Sequence, residues 1–273
     1  MAVPNLIKDT VFRAITSIGG DKEGLVCLPV LRGPAKGLRF ELDLVRRRES
    51  AYCLGTYDTK ILQTLRSVVQ PGWVIWDVGT YLGFYTVYFH HLVGAKGKVL
   101  AIEPDPRNRE RTGRNVRLNK FEFSGVAAAV GAPLGEIDFL LSDDSNSHIQ
   151  GVYIGAPQMK NTYQEKDREK KTIRIQCNSL DQLHFEKGLP APDLIKIDIE
   201  GAELYAVQHL HRLCSEVKPL LLLELHNAEC DAQAWRFAQS TGYVLYDAET
   251  MRRIVRPEDV HGTLLCRPGD AEN

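Results

Sequence analysis

The sequence predicts an α/β protein with a mostly parallel, twisted sheet, helices on both faces and a late antiparallel strand. Three observations predict this class. Short apolar runs alternate with amphipathic helical segments along most of the chain, as parallel strands and their crossover helices do. The run at residues 73–78 ends in an acidic residue and a Gly-containing turn. Two late apolar segments, residues 243–246 and 262–266, can close the sheet as an antiparallel pair.

The individual elements follow from local patterns. A helix begins behind Asp58/Thr59, which we interpret as its N-cap, and ends at Pro71-Gly72. Strands are predicted at residues 37–44, 73–78, 98–102, 124–130, 137–141, 172–177, 193–198, 220–225, 243–246 and 262–266. Further helices are predicted at residues 84–93, 105–118, 202–213 and 232–240. This order divides the chain into an N-terminal cap or strand extension, residues 1–57, and one main domain, residues 58–273.

One segment of the main domain has no clear periodicity. Residues 142–171 are long, polar and rich in charge, with scattered aromatic side chains. A stretch of this length inside a compact domain is usually a functional lid or a disordered loop. The aromatic residues favour a lid and the charge favours disorder, so we predict an inserted, lid-like loop and keep both interpretations open.

Composition and charge exclude several classes of protein. The 273 residues include 34 basic and 35 acidic side chains, a net charge of -1, and 44% of residues are hydrophobic. These values are typical of a globular chain and exclude a disordered protein. A net charge near zero removes the bulk electrostatic case for a nucleic-acid binder. The arginines at positions 107, 109, 111, 114 and 117 are interpreted as a solvated helix face.

Location is predicted from what the sequence lacks. No apolar run approaches the roughly 20 residues that a membrane-spanning helix needs. The first ten residues show no charged region followed by an apolar stretch, so no secretory signal is visible. The six cysteines are scattered without a CxxC pair, which favours reduced thiols. We therefore expect a cytoplasmic protein without a membrane span, and a homodimer is possible.

The loop after the first main strand is a candidate ligand loop, because ligands of parallel sheets bind at the carboxyl ends of the strands. Gly79 and Gly83 are spaced to let the backbone pass close to a ligand and to present N–H groups at a helix start. The bulky Tyr81 excludes the GxGxxG dinucleotide fingerprint. The candidate cofactor-binding residues of this loop are Asp77, Gly79, Thr80, Tyr81, Gly83 and Phe84.

The second strand ends in Glu103, and Pro104 stops it. A carboxylate at this position can accept two hydrogen bonds from the vicinal hydroxyls of a ribose, as adenosine cofactors require. An acidic first loop favours a cationic cofactor over a pyrophosphate, and S-adenosyl-L-methionine carries a sulfonium and an amino group. Glu103 and Pro104 therefore complete the predicted cofactor-binding set, with a simple helix-capping role for Glu103 as the alternative.

Ionisable residues cluster where two later strands end. Asp198 and Glu200 follow one buried strand, Glu203 falls in the next helical turn, and Glu224 and His226 follow another strand. Such a cluster is a candidate site for acid–base chemistry, and we expect His226 to have an ordinary pKa near 6.5. Oxygen ligands also suit Mg²⁺, but helix-dipole compensation explains the acids more simply, so no metal ligand is assigned.

The ordered blocks of the sequence resemble a known family. DVGTYLGFYT, AIEPDPRN, VGAPLGEIDF, DLIKIDIEGAE and LLELHN occur in the order found in the FkbM family of methyltransferases. The resemblance spans about Gly55 to Cys266 and implies a Rossmann-like methyltransferase fold with S-adenosyl-L-methionine as cofactor. It places Asp77, Gly79 and Gly83 beside the methionine part. The family's usual loop reads DVGANxG, and this chain has Thr80 and Tyr81 instead of Ala and Asn.

The same resemblance implies the remaining roles. Glu103 would hold the ribose, and Asp198, Glu200 and Glu203 would lie near the methyl acceptor, beside Glu224 and His226. The expected reaction is O-methylation of a sugar, glycan or secondary metabolite, with Asp198, Glu200 or His226 as the base. Two alternatives remain: a non-catalytic relative of the same fold, suggested by Tyr81, and an NAD-dependent dehydrogenase, which the missing GxGxxG disfavours.

Overall fold

A computed structural model describes residues 25–43, 47–141, 148–149 and 171–269 of the chain. Most of the predicted lid-like loop, residues 142–171, lies outside the described residues, as does the N-terminal extension before residue 25. The division of the chain at residue 57 therefore stays a prediction. Within this extension, Val26–Pro29 and Arg39–Leu42 pair as two antiparallel strands.

The described residues form thirteen strands and eight α-helices. The strands are β1 Val26–Pro29, β2 Arg39–Leu42, β3 Val74–Val78, β4 Lys98–Ile102, β5 Ser124–Val126, β6 Ala129–Val130, β7 Gly135–Leu140, β8 His148–Ile149, β9 Thr172–Asn178, β10 Leu194–Ile197, β11 Leu220–Glu224, β12 Tyr243–Asp247 and β13 Thr263–Pro268. The helices are α1 Arg47–Leu54, α2 Thr59–Val68, α3 Phe84–Val93, α4 Pro106–Leu118, α5 Leu180–Phe185, α6 Glu203–Gln208, α7 His211–Glu216 and α8 Ala228–Thr241.

Seven strands form the main sheet, in the order β12-β13-β11-β10-β3-β4-β5. The five strands from β11 to β5 run parallel, whereas β13 is antiparallel to both β11 and β12. The chain builds outward from β3 through β4 and β5, then returns to the other side of β3 with β10. Strand order therefore reverses between β3 and β10, which is where ligands of doubly wound sheets bind. The predicted Rossmann-like fold class, including the late antiparallel strand, is confirmed.

Both faces of this sheet are buried. Successive strand residues point to opposite faces, and here they join two different hydrophobic clusters: Ile75 packs with α2 and α3, whereas Trp76 packs with α5 to α8. Ile75 and Trp76 have no exposed surface. The helices therefore cover both faces, and β3 lies in the middle of the core.

Two predicted elements are wrong because tertiary contacts interrupt them. The strand predicted at residues 124–130 divides into β5 in the main sheet and β6, which pairs with β9 in a separate sheet of order β6-β9-β7-β8. The helix predicted at residues 202–213 divides into α6 and α7. Asp181 of α5 accepts hydrogen bonds from the first N–H groups of α7, those of Arg212 and Leu213, at 3.0 and 2.9 Å.

The helix predicted behind Asp58 is confirmed as α2, but Asp58 does not cap it through its side chain. Its backbone is left-handed, with φ 43°, and no side-chain cap hydrogen bond forms. The Tyr85 hydroxyl donates to Asp58 Oδ2 over 2.7 Å instead. The side chain of Asp58 thus connects the start of α2 to α3.

The interpretation of the helix arginines as a solvated face is wrong for Arg111 and Arg114. Arg111 pairs with the fully buried Glu49 at 2.6 Å, and Arg114 pairs with Glu41 at 2.6 Å. Asn115 Oδ1 also accepts the Glu41 N–H over 2.8 Å. These contacts attach α4 of the main domain to β2 and α1 of the N-terminal extension.

Among the described helices, none is long and apolar enough to cross a membrane. The six cysteine thiols are free, and Cys27 is the one that is not buried. The predicted reduced state is consistent with this arrangement.

Candidate active site

The loops that follow β3 and β10 touch each other at the point where strand order reverses. Gly79 has φ 82°, and a Cβ placed there would lie 1.8 Å from the carbonyl oxygen of Asp198. Gly83 has φ 83°, and its Cβ would lie 2.6 Å from Thr112 Cγ2. Both positions therefore require glycine because protein atoms approach the backbone closely. The close approach of a ligand to these two glycines stays a prediction.

The remaining residues of the β3–α3 loop are held by α4. Thr112 Oγ1 donates to the Tyr81 carbonyl at 3.0 Å and lies 3.1 Å from Thr80 Oγ1. Tyr81 has a left-handed backbone, with φ 51°, a conformation that Asn tolerates better than a bulky residue. The loop thus keeps its turn although Tyr replaces the family's Asn.

The side chain of Phe84 lies in the protein core. It stacks on Tyr52 with ring centroids 4.5 Å apart and on Phe40 at 5.2 Å. Phe84 is 4% exposed. Its side chain is therefore part of the aromatic core under α3, and only its backbone belongs to the candidate cofactor site.

Glu103 lies where predicted, directly after β4, with Pro104 half-buried beside it. Its Oε2 accepts the Tyr81 N–H and its Oε1 accepts the Asp105 N–H, each over 3.0 Å. Burial raises the pKa of Glu103 to about 7, although these two N–H groups lower it. The carboxyl group thus connects the β3–α3 loop to the end of β4, and as a carboxylate it can accept a further hydrogen bond.

Asp77 is the last buried acid before the β3–α3 loop. Its Oδ2 accepts the Thr86 hydroxyl over 2.5 Å, and its Oδ1 has no hydrogen-bond partner among the described residues. Burial raises the pKa of Asp77 to about 6, while the Lys196 ammonium, 4.0 Å from Oδ1, lowers it. A negative charge is thus kept below the predicted cofactor loop.

His226 is surrounded by three carboxylates at the ends of β10 and β11. Its Nε2 lies 3.6 Å from Asp198 Oδ1, 3.8 Å from Glu200 Oε2 and 4.0 Å from Glu224 Oε1. We call these four residues the His226 cluster. All four are partly exposed, so the structure brings the three predicted catalytic residues together at an accessible edge of the sheet.

Glu203 holds the other side of the imidazole. Its Oε1 is 3.1 Å from His226 Nδ1 and accepts the Ile199 N–H over 2.8 Å. Its Oε2 accepts the Gly201 N–H over 2.9 Å. Glu203 is 1% exposed, so it fixes the turn after β10 and the orientation of the ring and is shielded from an acceptor.

The prediction that His226 has an ordinary pKa is wrong. Burial lowers this pKa, but the hydrogen bond to Glu203 and the charges of Glu203, Asp198 and Glu200 raise it more, to about 9. His226 is therefore an imidazolium at neutral pH and cannot accept a proton. For Glu224, burial and the charge of Asp198 raise the pKa to about 7, against the lowering effects of Lys196 and His226.

Asp198, Glu224 and His226 could also hold a divalent cation. One ligand atom from each lies within 4.8 Å of the others. The hydrogen bond from Glu203 to the second imidazole nitrogen resembles the orienting contacts common at metal sites. Binding of a metal ion would require His226 to lose its proton.

The prediction from sequence missed Lys196 and Tyr85. Lys196 Nζ lies 2.9 Å from Asp198 Oδ2 and 4.7 Å from the centroid of the Tyr85 ring. One sequence signal was available: Lys196 is a charged residue within the otherwise apolar strand Leu194–Ile197. A lysine at a buried strand position requires a charged partner nearby.

The doubly wound sheet, whose strand order reverses beside the carboxylate cluster, is a Rossmann-like fold of the kind found in methyltransferases. The family model described as Methyltransferase FkbM domain matches residues 77–256, well over half of the chain. The chain therefore belongs to the FkbM methyltransferase family, and its cofactor is S-adenosyl-L-methionine. No curated protein sequence matches the chain.

Solved structures with a similar arrangement include three methyltransferases. An FkbM methyltransferase from Methylobacillus flagellatus is 17% identical, with coverage of 96% of this chain and 59% of that chain and a TM-score of 0.39. A TehB-like SAM-dependent methyltransferase from Corynebacterium glutamicum is 10% identical, with coverage of 83% of this chain and 96% of that chain and a TM-score of 0.47. A putative rRNA-methylase from Clostridium thermocellum is 11% identical, with coverage of 78% of this chain and 94% of that chain and a TM-score of 0.43.

Proposed function

We propose that this protein transfers a methyl group from S-adenosyl-L-methionine to a hydroxyl oxygen of a sugar, glycan or secondary metabolite. The observation that carries this proposal is the His226 cluster. It is a partly exposed set of carboxylates at the ends of β10 and β11, in contact with the β3–α3 loop through Asp198 and Gly79. A hydroxyl acceptor needs such groups for hydrogen bonding and for removal of its proton.

The cofactor side of the site would be formed by the loops after β3 and β4. Glu103 would accept hydrogen bonds from the ribose hydroxyls, since the N–H groups of Tyr81 and Asp105 already orient its two oxygens. The buried charge of Asp77 would favour the positive charge of the methionine part. The bound cofactor supplies the electrophilic methyl group, and the protein aligns the acceptor with it.

Glu224 is the best candidate for the base. Its pKa of about 7 suits proton transfer at neutral pH, and its side chain is 27% exposed. In the proposed step the acceptor oxygen would take the methyl carbon from the cofactor, whose sulfur would keep the bonding pair as a neutral thioether. The hydroxyl proton passes to the Glu224 carboxylate. The imidazolium of His226, 4.0 Å away, stabilises that carboxylate before transfer.

The Glu224→Gln variant tests this proposal. Loss of a base costs typically 10²–10⁴-fold in rate, so we expect at least a ~100-fold fall in turnover with unchanged cofactor affinity. Formation of S-adenosylhomocysteine is measured over a panel of hydroxylated sugars and natural products, with deuterated methyl label to locate the transferred group. Glu229→Gln, an exposed glutamate at the start of α8, is the control and should keep full activity.

Three results would contradict the proposal in different ways. Full activity of Glu224→Gln would remove Glu224 as the base. Label on a nitrogen would replace O-methylation by N-methylation. Cofactor binding without turnover on any hydroxylated acceptor would favour the non-catalytic alternative.

A further inference from the structure

The buried ammonium of Lys196 lies between the two halves of the site, the cofactor loop and the His226 cluster. Lys196 lies in β10 directly opposite Asp77 of the neighbouring strand β3. Its side chain is 3% exposed. Because β3 leads into the cofactor loop and β10 leads into the His226 cluster, the side chain lies beneath the point where both halves meet.

The Lys196 ammonium lies close to groups from β3, from α3 and from the loop after β10. It lies 2.9 Å from Asp198 Oδ2, 4.0 Å from Asp77 Oδ1 and 4.7 Å from the centre of the Tyr85 ring. The Tyr85 ring is itself held by its hydroxyl, which donates to Asp58 Oδ2 over 2.7 Å. The ammonium is therefore fixed in position, with a negative group on either side and an aromatic face beside it.

The charge of Lys196 is retained despite burial. Burial lowers its pKa, but Asp198, Asp77 and Glu224 raise it further, so the net change is upward from the ordinary value. Lys196 therefore cannot serve as a base at neutral pH. It is instead a permanent positive charge, and it is the charged neighbour of the Asp77 oxygen that has no hydrogen-bond partner among the described residues.

We propose that Lys196 is a specificity-determining residue that sets how strongly this site distinguishes S-adenosyl-L-methionine from S-adenosylhomocysteine. The inference rests on the proposed function, with the cofactor in the crevice between β3 and β10. The two ligands differ by one methyl group and one positive charge on sulfur. A fixed ammonium opposes that charge, so it weakens binding of the sulfonium form relative to the neutral thioether.

The same repulsion has a consequence for the reaction. Positive charge leaves the sulfur as the methyl group moves to the acceptor. An ammonium nearby therefore disfavours the charged ground state more than the transition state, and only such differences accelerate a reaction. Asp77 and Asp198 keep the repulsion moderate, because each partly neutralises the ammonium.

Calorimetric titration of the full chain with both ligands tests this role. Lys196→Met removes the charge and keeps the length of the side chain. We expect the ratio of the Kd for S-adenosylhomocysteine to the Kd for S-adenosyl-L-methionine to rise roughly three- to tenfold at low ionic strength. The control is Lys98→Met, an exposed lysine at the opposite, amino end of β4, which should leave the ratio unchanged.

A second variant keeps the inference testable if Lys196→Met does not fold. Asp198→Asn removes the carboxylate that neutralises the ammonium, so it should move the ratio in the opposite direction by a similar factor. Equal changes in both affinities, or an unchanged ratio in the folded variants, would overturn the role of Lys196 while leaving the proposed function intact. Failure of the wild-type protein to bind either ligand would overturn the proposed function itself.

Discussion

His226 shows how neighbouring residues change the chemistry of one side chain. Its sequence position, directly after an apolar strand, predicts a base with an ordinary pKa. In the structure, Glu203 contacts one nitrogen at 3.1 Å while three more carboxylates surround the other. The ring is therefore held as an imidazolium, and Glu224 becomes the proton acceptor in our proposal.

The protonation of His226 predicts a pH dependence of stability. Its pKa rises from about 6.5 in the unfolded chain to about 9 in the folded protein. The contribution is thus fully present below pH ~6.5 and is lost as the pH rises through about 9. We expect the unfolding free energy of the wild type to exceed that of His226→Asn most at pH 6, and this difference to shrink by pH 9.5.

Urea unfolding at several pH values measures this difference. The control is His261→Asn, because His261 is exposed on the loop before β13. If the difference between wild type and His226→Asn stays constant from pH 6 to 9.5, the neighbouring carboxylates do not raise the pKa of His226.

At the scale of elements, the crossing of α3 and α4 depends on Gly83. This residue is the N-cap of α3, with φ 83°, and Thr112 of α4 packs directly against its Cα. Spacing in the sequence predicts a glycine at this position, and the structure adds a close approach between two parts of the protein. The glycine is required by packing, and the loop is held by Thr112.

Gly83→Ala should therefore be strongly destabilising. A Cβ would lie 2.6 Å from Thr112 Cγ2, which adds a steric cost to that of a positive φ. We expect a loss of about 2–4 kcal/mol in unfolding free energy, measured with urea. Gly242→Ala is the control: its backbone is left-handed like that of Gly83, with φ 72° and ψ 15°, but nothing lies within 4 Å of its Cβ, so it should lose only about 1–2 kcal/mol.

Thr112→Ser offers a second check, since it removes Cγ2 and keeps the hydroxyl. Part of the loss caused by Gly83→Ala should return in the double variant. Equal losses for Gly83→Ala and Gly242→Ala would contradict the packing explanation.

At the scale of the whole molecule, the N-terminal extension is attached to the main domain by charged groups. The carboxylate of Glu49 is fully buried and accepts hydrogen bonds from Arg111 of α4, whose side chain is 15% exposed. Breaking a buried pair by removing one partner costs about 3–5 kcal/mol, because the other charge remains buried. The extension and the main domain should therefore unfold together.

Arg111→Met tests this attachment. We expect a loss of about 3–5 kcal/mol in unfolding free energy and a smaller loss when Glu49→Gln is added, since no uncompensated charge then remains. Arg174→Met, which breaks a pair with Glu136 in which both side chains are 62% exposed, should change stability by about 0.5 kcal/mol or less. Two separate unfolding transitions in the wild type would show that the extension folds independently.

The sequence allowed the main elements to be predicted because their signals are local. The helix at residues 84–93 and the strand at residues 98–102 match α3 and β4 at both ends. The break between α6 and α7 could not be predicted, since the side chain that caps α7 is Asp181 of another helix. The strand at residues 124–130 divides for a similar reason: β6 finds its partner, β9, more than forty residues away.

The same distinction applies to the site. The sequence predicts that Asp77, Glu103, Asp198 and His226 lie at one edge of the sheet, because the carboxyl ends of parallel strands share that edge. The shifted pKa values of Asp77, Glu103 and His226, and the position of Lys196 between Asp77 and Asp198, could not be read from local sequence patterns. Ionisation depends on burial and on charges within a few ångströms, and these neighbours come from strands and helices far apart in the chain.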